Sequence, residues 1–208
     1  MIRMLVYGYE KSAERITRFL DEEMPMEVEM IPAKDNFLEM SPTEVARRTE
    51  NDLSNSIGKN ELIVFADPVT TMMAEGELKK RYAKQKFVGY GQSLVRVIKK
   101  LKTVYILTTQ KISRLDLYQR MKGECQGTKI MESGGEEWIE LTKKDKVKKE
   151  EIMEKVKAAQ GAPILVFRPD LSLQKMKEIV DWRGEVVDME KELLVDIKNE
   201  LGLKRWLI

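Results

Sequence analysis

The stretch Leu62-Ile63-Val64-Phe65-Ala66-Asp67-Pro68 decides the fold class. Its unbroken apolar run is the signature of a strand buried on both faces, as in a parallel sheet covered by helices on each side. Asp67-Pro68 ends the run with helix-start chemistry. A short carboxylate can cap free amides, and a proline's missing N–H is harmless at the first helical position. A strand that runs directly into a helix is the repeating step of an α/β protein. A similar corner, Val166-Phe167-Arg168-Pro169-Asp170, lies in the second half of the chain.

The same grammar extends in both directions. Toward the N-terminus, Ile2 to Tyr7 reads as a first strand closed by Gly8. Ser12 to Glu23 carries Ala13, Ile16, Phe19 and Leu20 at helical spacing, and Met26 to Ile31 alternates as a strand until Pro32. Residues 32–40 show no period and are expected to form a loop. Ser41-Pro42-Thr43-Glu44 combines a cap, a first-turn proline and the fourth member of a capping box. It predicts a helix to about Ile57, stopped near Gly58.

Toward the C-terminus, the helix opened by Pro68 is expected to reach about Tyr82. A short strand follows at Lys86 to Tyr90, then a helix over Ser93 to Leu101 and a buried strand over Thr103 to Thr108. Ser113 to Lys122 reads as a helix, Thr128 to Met131 as a brief strand and Ser133-Gly134-Gly135 as a turn. A charged helix over Lys143 to Ala159 precedes a strand at Pro163 to Phe167. Leu171 to Val180 is expected as a helix, Glu185 to Val187 as a last strand and Glu190 to Leu201 as a last helix. This alternation implies parallel sheets with helices on both faces, in two compact halves joined by short crossings.

Composition narrows the chemistry. The chain has 208 residues, 42% of them hydrophobic, which is enough for a packed core. With 37 Lys+Arg against 35 Asp+Glu, the net charge of +2 gives no reason to expect nucleic-acid or membrane partners. The absence of His removes imidazole bases and His-containing metal sites. The sole cysteine, Cys125, removes structural disulfides and Cys-rich zinc sites. No cofactor is expected: Gly89-Tyr90-Gly91 lacks the third glycine of a dinucleotide fingerprint and reads as a tight turn. The N-terminal apolar run is too short for a signal peptide and nothing approaches a membrane span, so a cytoplasmic protein is expected.

Ligands of parallel α/β sheets gather at the carboxyl ends of the strands, which singles out the residues just after each one. Gly8 and Glu10 follow the first strand. Asp67 is either a cleft carboxylate or the cap of its helix, and one residue can be both. Thr70 and Thr71 lie in the first turn of that helix, whose amides suit an anion. Arg168 could hold a carboxylate bidentately or sit in a surface ion pair, and Asp170 invites the same choice as Asp67. Cys125 follows a helix, away from any strong strand end, with no His to deprotonate it.

The order of these pieces resembles the aspartate/glutamate racemase superfamily, glutamate racemase in particular. Phe37-Leu38-Glu39-Met40-Ser41-Pro42-Thr43-Glu44-Val45, with Arg48-Thr49, is similar to the family's Pro-Tyr-Gly loop and Glu-rich helix. Leu62 to Thr70 takes the place of the strand ending in Ala-Cys-Asn-Thr, and Phe87-Val88-Gly89 resembles Val-Val-Gly. Val104 to Thr109 and Asp116-Leu117-Tyr118 resemble the Ile-Gly-Thr strand and a Tyr-containing helix. Pro163 to Pro169 stands where the family has Leu-Gly-Cys-Thr-His-Tyr-Pro, and Val186-Val187-Asp188 resembles Leu-Ile-Asp. The resemblance implies two pseudo-symmetric lobes, residues 1–92 with 189–208 and residues 93–188, each a parallel sheet flanked by helices, with a cleft between them.

Family racemases use two cysteines on opposite faces of the substrate α-carbon. Here the first position holds Asp67, the second falls at Phe167 or Arg168, the histidine becomes Pro169, and Asp-Ser-Gly becomes Gly8-Tyr9-Glu10. The resemblance therefore implies a homologue without two-thiol chemistry that binds a small carboxylate or amino acid in the cleft through Arg168 and helix amides. It also implies that Asp67 and Arg168 approach one another. Two rivals stand beside this reading: an isomerase or lyase with Asp67 as base and Glu10 or Asp35 as partner, and a structural or protein-binding module with a filled cleft. A homodimer stays open.

Overall fold

The computed structural model describes residues 2–24, 26–34, 37–135, 146–168, 176, 178 and 185–203. The chain divides into two units, Met1–Ser93 with Glu190–Ile208, and Leu94–Met189. In the first unit, β1 (Arg3–Gly8), β2 (Glu27–Pro32), β3 (Leu62–Phe65) and β4 (Lys86–Val88) form one parallel sheet in the order β2-β1-β3-β4. Helix α1 (Glu10–Glu23) turns Ala13, Ile16 and Leu20 inward, and α2 (Pro42–Leu53) turns in Val45, Ala46 and Leu53. The apolar run of β3 is fully buried, as its lack of alternation requires. Register pairs Met4 with Leu62 and Tyr7 with Phe65, so the carboxyl ends of β1 and β3 come level. Phe65 stacks on Phe87 of β4, with ring planes 1° apart.

In the second unit, β5 (Thr103–Thr109), β6 (Lys129–Gly135), β7 (Ile164–Phe167) and β8 (Val186–Val187) repeat the arrangement in the order β6-β5-β7-β8, also parallel. Tyr105, Leu107, Ile164 and Val166 project from one face onto Ile152, Val156 and Met176. The other face carries Phe167 stacked on Tyr118 of the helix Asp116–Gly123. The two sheets thus share one topology, the second strand at one edge and the first beside the third.

Several local expectations are met in detail. Ser41 caps α2 in a complete capping box: its Oγ accepts from the Glu44 amide, and Glu44 Oε2 accepts from the Ser41 amide at 2.9 Å. Others are corrected. Ser133-Gly134-Gly135 is strand rather than turn, pairing with Leu107, Thr108 and Thr109 of β5. Ladder hydrogen bonds use only the backbone, so the glycines do not end the pairing. The segment Tyr90–Lys100 is helical from Tyr90, earlier than the Ser93 expected from the apolar spacing. Phe37–Glu39, inside the expected loop, forms a 3₁₀ turn that buries Phe37 against Tyr7. Asp35, Pro169, Asp170 and most of the expected helix 171–180 lie outside the described residues, although Met176 is helical and buried. From Glu190 onward the helix Met189–Glu200 belongs to the first unit, tied by an Arg15–Glu190 ion pair and by Lys86 donating to the Glu200 carbonyl. Among the described residues, no helix is long and apolar enough to cross a membrane.

Candidate functional site

At the carboxyl end of the first sheet, Asp67 is completely buried and holds three donors. Oδ1 accepts from the Thr70 amide at 2.8 Å. Oδ2 accepts from the Thr70 hydroxyl at 2.9 Å and from the Tyr9 amide at 3.1 Å. The carboxylate is therefore the N-cap of the helix at Pro68, and the same oxygen fastens the end of β1 to the end of β3. The Thr71 hydroxyl donates to the Asp67 carbonyl at 2.9 Å and accepts from the Tyr90 amide at 3.3 Å, which brings in the end of β4. Donation to a carbonyl four residues back is the bond that bends helices, and the helix widens here into a π turn over Thr71–Glu75 before resuming at Gly76–Arg81.

Two glycines make this packing feasible. A Cβ on Gly8 would stand 2.5 Å from Asp67 Oδ2. A Cβ on Gly89 would stand 2.5 Å from Thr71 Oγ1 and 2.8 Å from Glu75 Oε2. Gly89, singled out in the sequence only as part of an incomplete glycine motif, is required by the side chains resting on it. The structure thus joins Gly8, Asp67, Thr70 and Thr71 into one cluster. Glu10 is outside it, exposed at the first position of α1.

Burial pushes the Asp67 carboxyl above the usual carboxylate range, and hydrogen bonds from Thr70 and Tyr9 oppose the rise without cancelling it. Glu75 is raised for the same reason. Its burial outweighs an ion pair with Lys79 at 2.6 Å, and the nearby Asp196 carboxyl adds to the rise. A raised carboxyl binds its proton more tightly when folded, so its stability contribution is present at acid pH and lost as pH climbs through the folded value. Glu75→Gln removes this titration. Relative to wild type, the variant is expected to gain stability as pH rises from 4 to 8, measured by urea unfolding at each pH.

At the carboxyl end of the second sheet, Arg168 follows β7 and is 2% exposed. Its Nη1 lies 3.4 Å from the carbonyl oxygen of Thr108, near the end of β5. Thr109 Oγ accepts from the Ile112 amide at 3.2 Å, capping the turn that follows. Register pairs Thr108 with Phe167 as Tyr7 pairs with Phe65. Counted from those last paired residues, Arg168 corresponds to Ala66 and Asp67 corresponds to Pro169. Asp67 belongs to the first unit and Arg168 to the second.

No family model and no curated protein matches the sequence. Solved structures do. Glutamate racemase from Francisella tularensis, in complex with D-glutamate, aligns with TM-score 0.75 at 10% identity, covering 100% of this chain and 83% of that one. Glutamate racemase from Aquifex pyrophilus aligns at 0.74 with 13% identity, covering 95% and 83%. An aspartate racemase homologue from Pyrococcus horikoshii aligns at 0.59 with 16% identity, covering 98% and 99%. The fold is that of the aspartate/glutamate racemases.

Within this racemase fold, the sole thiol is placed for packing. Cys125 is 2% exposed, its Sγ donates to the Met121 carbonyl at 3.3 Å, and burial pushes its pKa up. A thiol held protonated is a poor nucleophile and a poor base. Three polar groups at the strand ends escaped the reading of the sequence: the Tyr9 amide, Glu75, and the buried Thr108-Thr109 pair. Only the last had a local signal, two hydroxyls ending an apolar strand. Among the described residues, no three Asp, Glu or Cys side chains gather as a metal site.

Proposed function

We propose that this chain uses the racemase fold to bind a small carboxylate or amino acid, without racemising it by the two-thiol route. The observation that carries the reading is the thiol count: the 208 residues contain one cysteine, and it is buried against a backbone carbonyl. Removing an α-proton on one face and returning one on the other by thiols takes two of them. Binding draws support from Arg168, a guanidinium at a strand carboxyl end, where parallel sheets place their ligand contacts. Its planar fork matches a carboxylate bidentately. The first-unit helix start contributes less than the sequence suggests, because Asp67 itself occupies the Thr70 amide that an external anion would use.

Calorimetric titration with the D and L forms of glutamate and aspartate tests this reading. Saturable binding of at least one is expected, weakened about tenfold or more by Arg168→Met, a loss of about 1.4 kcal/mol. Absence of binding to all four overturns the ligand class, and unchanged affinity in the variant overturns the role of Arg168.

A further inference from the structure

The net charge of +2 conceals two blocks of opposite sign. Residues 19–33 hold five Asp and Glu and no Lys or Arg, whereas residues 78–115 hold eleven Lys and Arg and no Asp or Glu. In the first unit the basic block is spent internally. Lys79, Lys80 and Arg81 pair with Glu75, Glu77 and Glu50, and Lys86 donates to the Glu200 carbonyl. Lys99, Lys100 and Lys102 of the second unit differ. They end the helix Tyr90–Lys100 and lead into β5, all three are exposed, and among the described residues none makes an ion pair. The Thr128 hydroxyl holds the turn that carries them, reaching the Ile98 carbonyl at 3.0 Å and the Leu101 carbonyl at 2.8 Å.

The acidic block has the same character. Asp21, Glu22 and Glu23 end α1, exposed and without an ion pair among the described residues. Glu29 on β2 is exposed in the same way, and Glu27 pairs with Arg3 at 3.5 Å. The last turn of α1 contains no basic residue, so its three carboxylates oppose the helix dipole and cost the helix stability. Half-buried Met26 follows the acids, and half-buried Leu101 stands between the lysines, so each charged corner also offers some apolar surface.

We infer that the chain self-associates, the acidic end of α1 in one copy seating on the lysine turn at residues 99–102 of another. Three carboxylates meet three ammonium groups, and neither set has a partner within its own copy. A cationic surface over the end of α1 also offsets the unfavourable dipole there. Exposed charges set orientation and encounter more than affinity, so the contact is weak and sensitive to salt. It is independent of the carboxylate reading for Arg168, which uses neither corner.

Sedimentation velocity of the full chain over a range of protein concentrations tests the inference. Self-association is expected in about 20 mM NaCl and should be at least tenfold weaker in about 300 mM. Lys99→Glu with Lys100→Glu and Lys102→Glu should leave a monomer at low salt, and so should Asp21→Lys with Glu22→Lys and Glu23→Lys. The second set places cations at the helix end and should not lower the thermal unfolding temperature. An equimolar mixture of the two variants should associate again, because each reversed corner then faces its opposite sign. A wild-type chain that stays monomeric at low salt, association indifferent to salt, or a mixture that fails to recover would overturn it.

Discussion

Asp67→Ala is expected to lower the unfolding free energy by about 3 kcal/mol. Loss of an N-cap alone costs about 0.5–2 kcal/mol. Here the truncation also strands the Tyr9 amide and both Thr70 donors, and a buried donor left without its acceptor costs about 1–3 kcal/mol. Partial relaxation and water entry keep the sum below the total of those figures. Asp67→Asn, nearly neutral for a simple exposed cap, is expected to cost about 1–2 kcal/mol in this setting. An amide presents one oxygen to donors that now approach both carboxylate oxygens, and its NH2 group would face the Tyr9 or Thr70 amide. Urea melts of the two variants check both values. A neutral or stabilising Asp67→Ala is the behaviour of a strained functional carboxylate and contradicts the structural role.

Gly8→Ala is expected to be comparably damaging, at about 2–4 kcal/mol. The added methyl would meet Asp67 Oδ2 at 2.5 Å and the Ala66 Cβ at 3.3 Å. A free side chain would swing away, but this carboxylate is pinned by three donors, so the clash must be relieved by breaking one of them or by moving β1. Much of the penalty should vanish in an Asp67→Ala background, giving a coupling of about 1–2 kcal/mol in a double-mutant cycle. Additive effects would mean that the two residues do not act through one contact.

What was legible in the sequence was what is local. The β3 run, the Asp67-Pro68 corner and the Ser41 capping box are each decided by residues within one turn of one another, and each appears where expected. The repeated strand–helix order likewise sufficed for two parallel sheets. The rest depends on partners distant along the chain. The cap at Asp67 was readable, but its bond to the Tyr9 amide spans 58 residues. Gly89 looks like turn chemistry until Thr71 and Glu75 are seen resting on it. The strand ending at Gly135 depends on β5 beside it, since nothing in Ser133-Gly134-Gly135 favours extension alone. Arg168 was identifiable as a charged residue after a strand, while its burial was not.

The claim that the racemase fold persists here without two-thiol proton transfer is tested most directly by deuterium exchange at the substrate α-carbon. Glutamate and aspartate, each as both enantiomers, are incubated with the protein in D2O and the α-proton resonance is followed by NMR. The account predicts that the signal persists at the rate of the protein-free control. Loss of the signal in proportion to protein concentration would contradict it, and abolition of that loss by Asp67→Asn, with Cys125→Ser unaffected, would assign the proton transfer to a carboxylate.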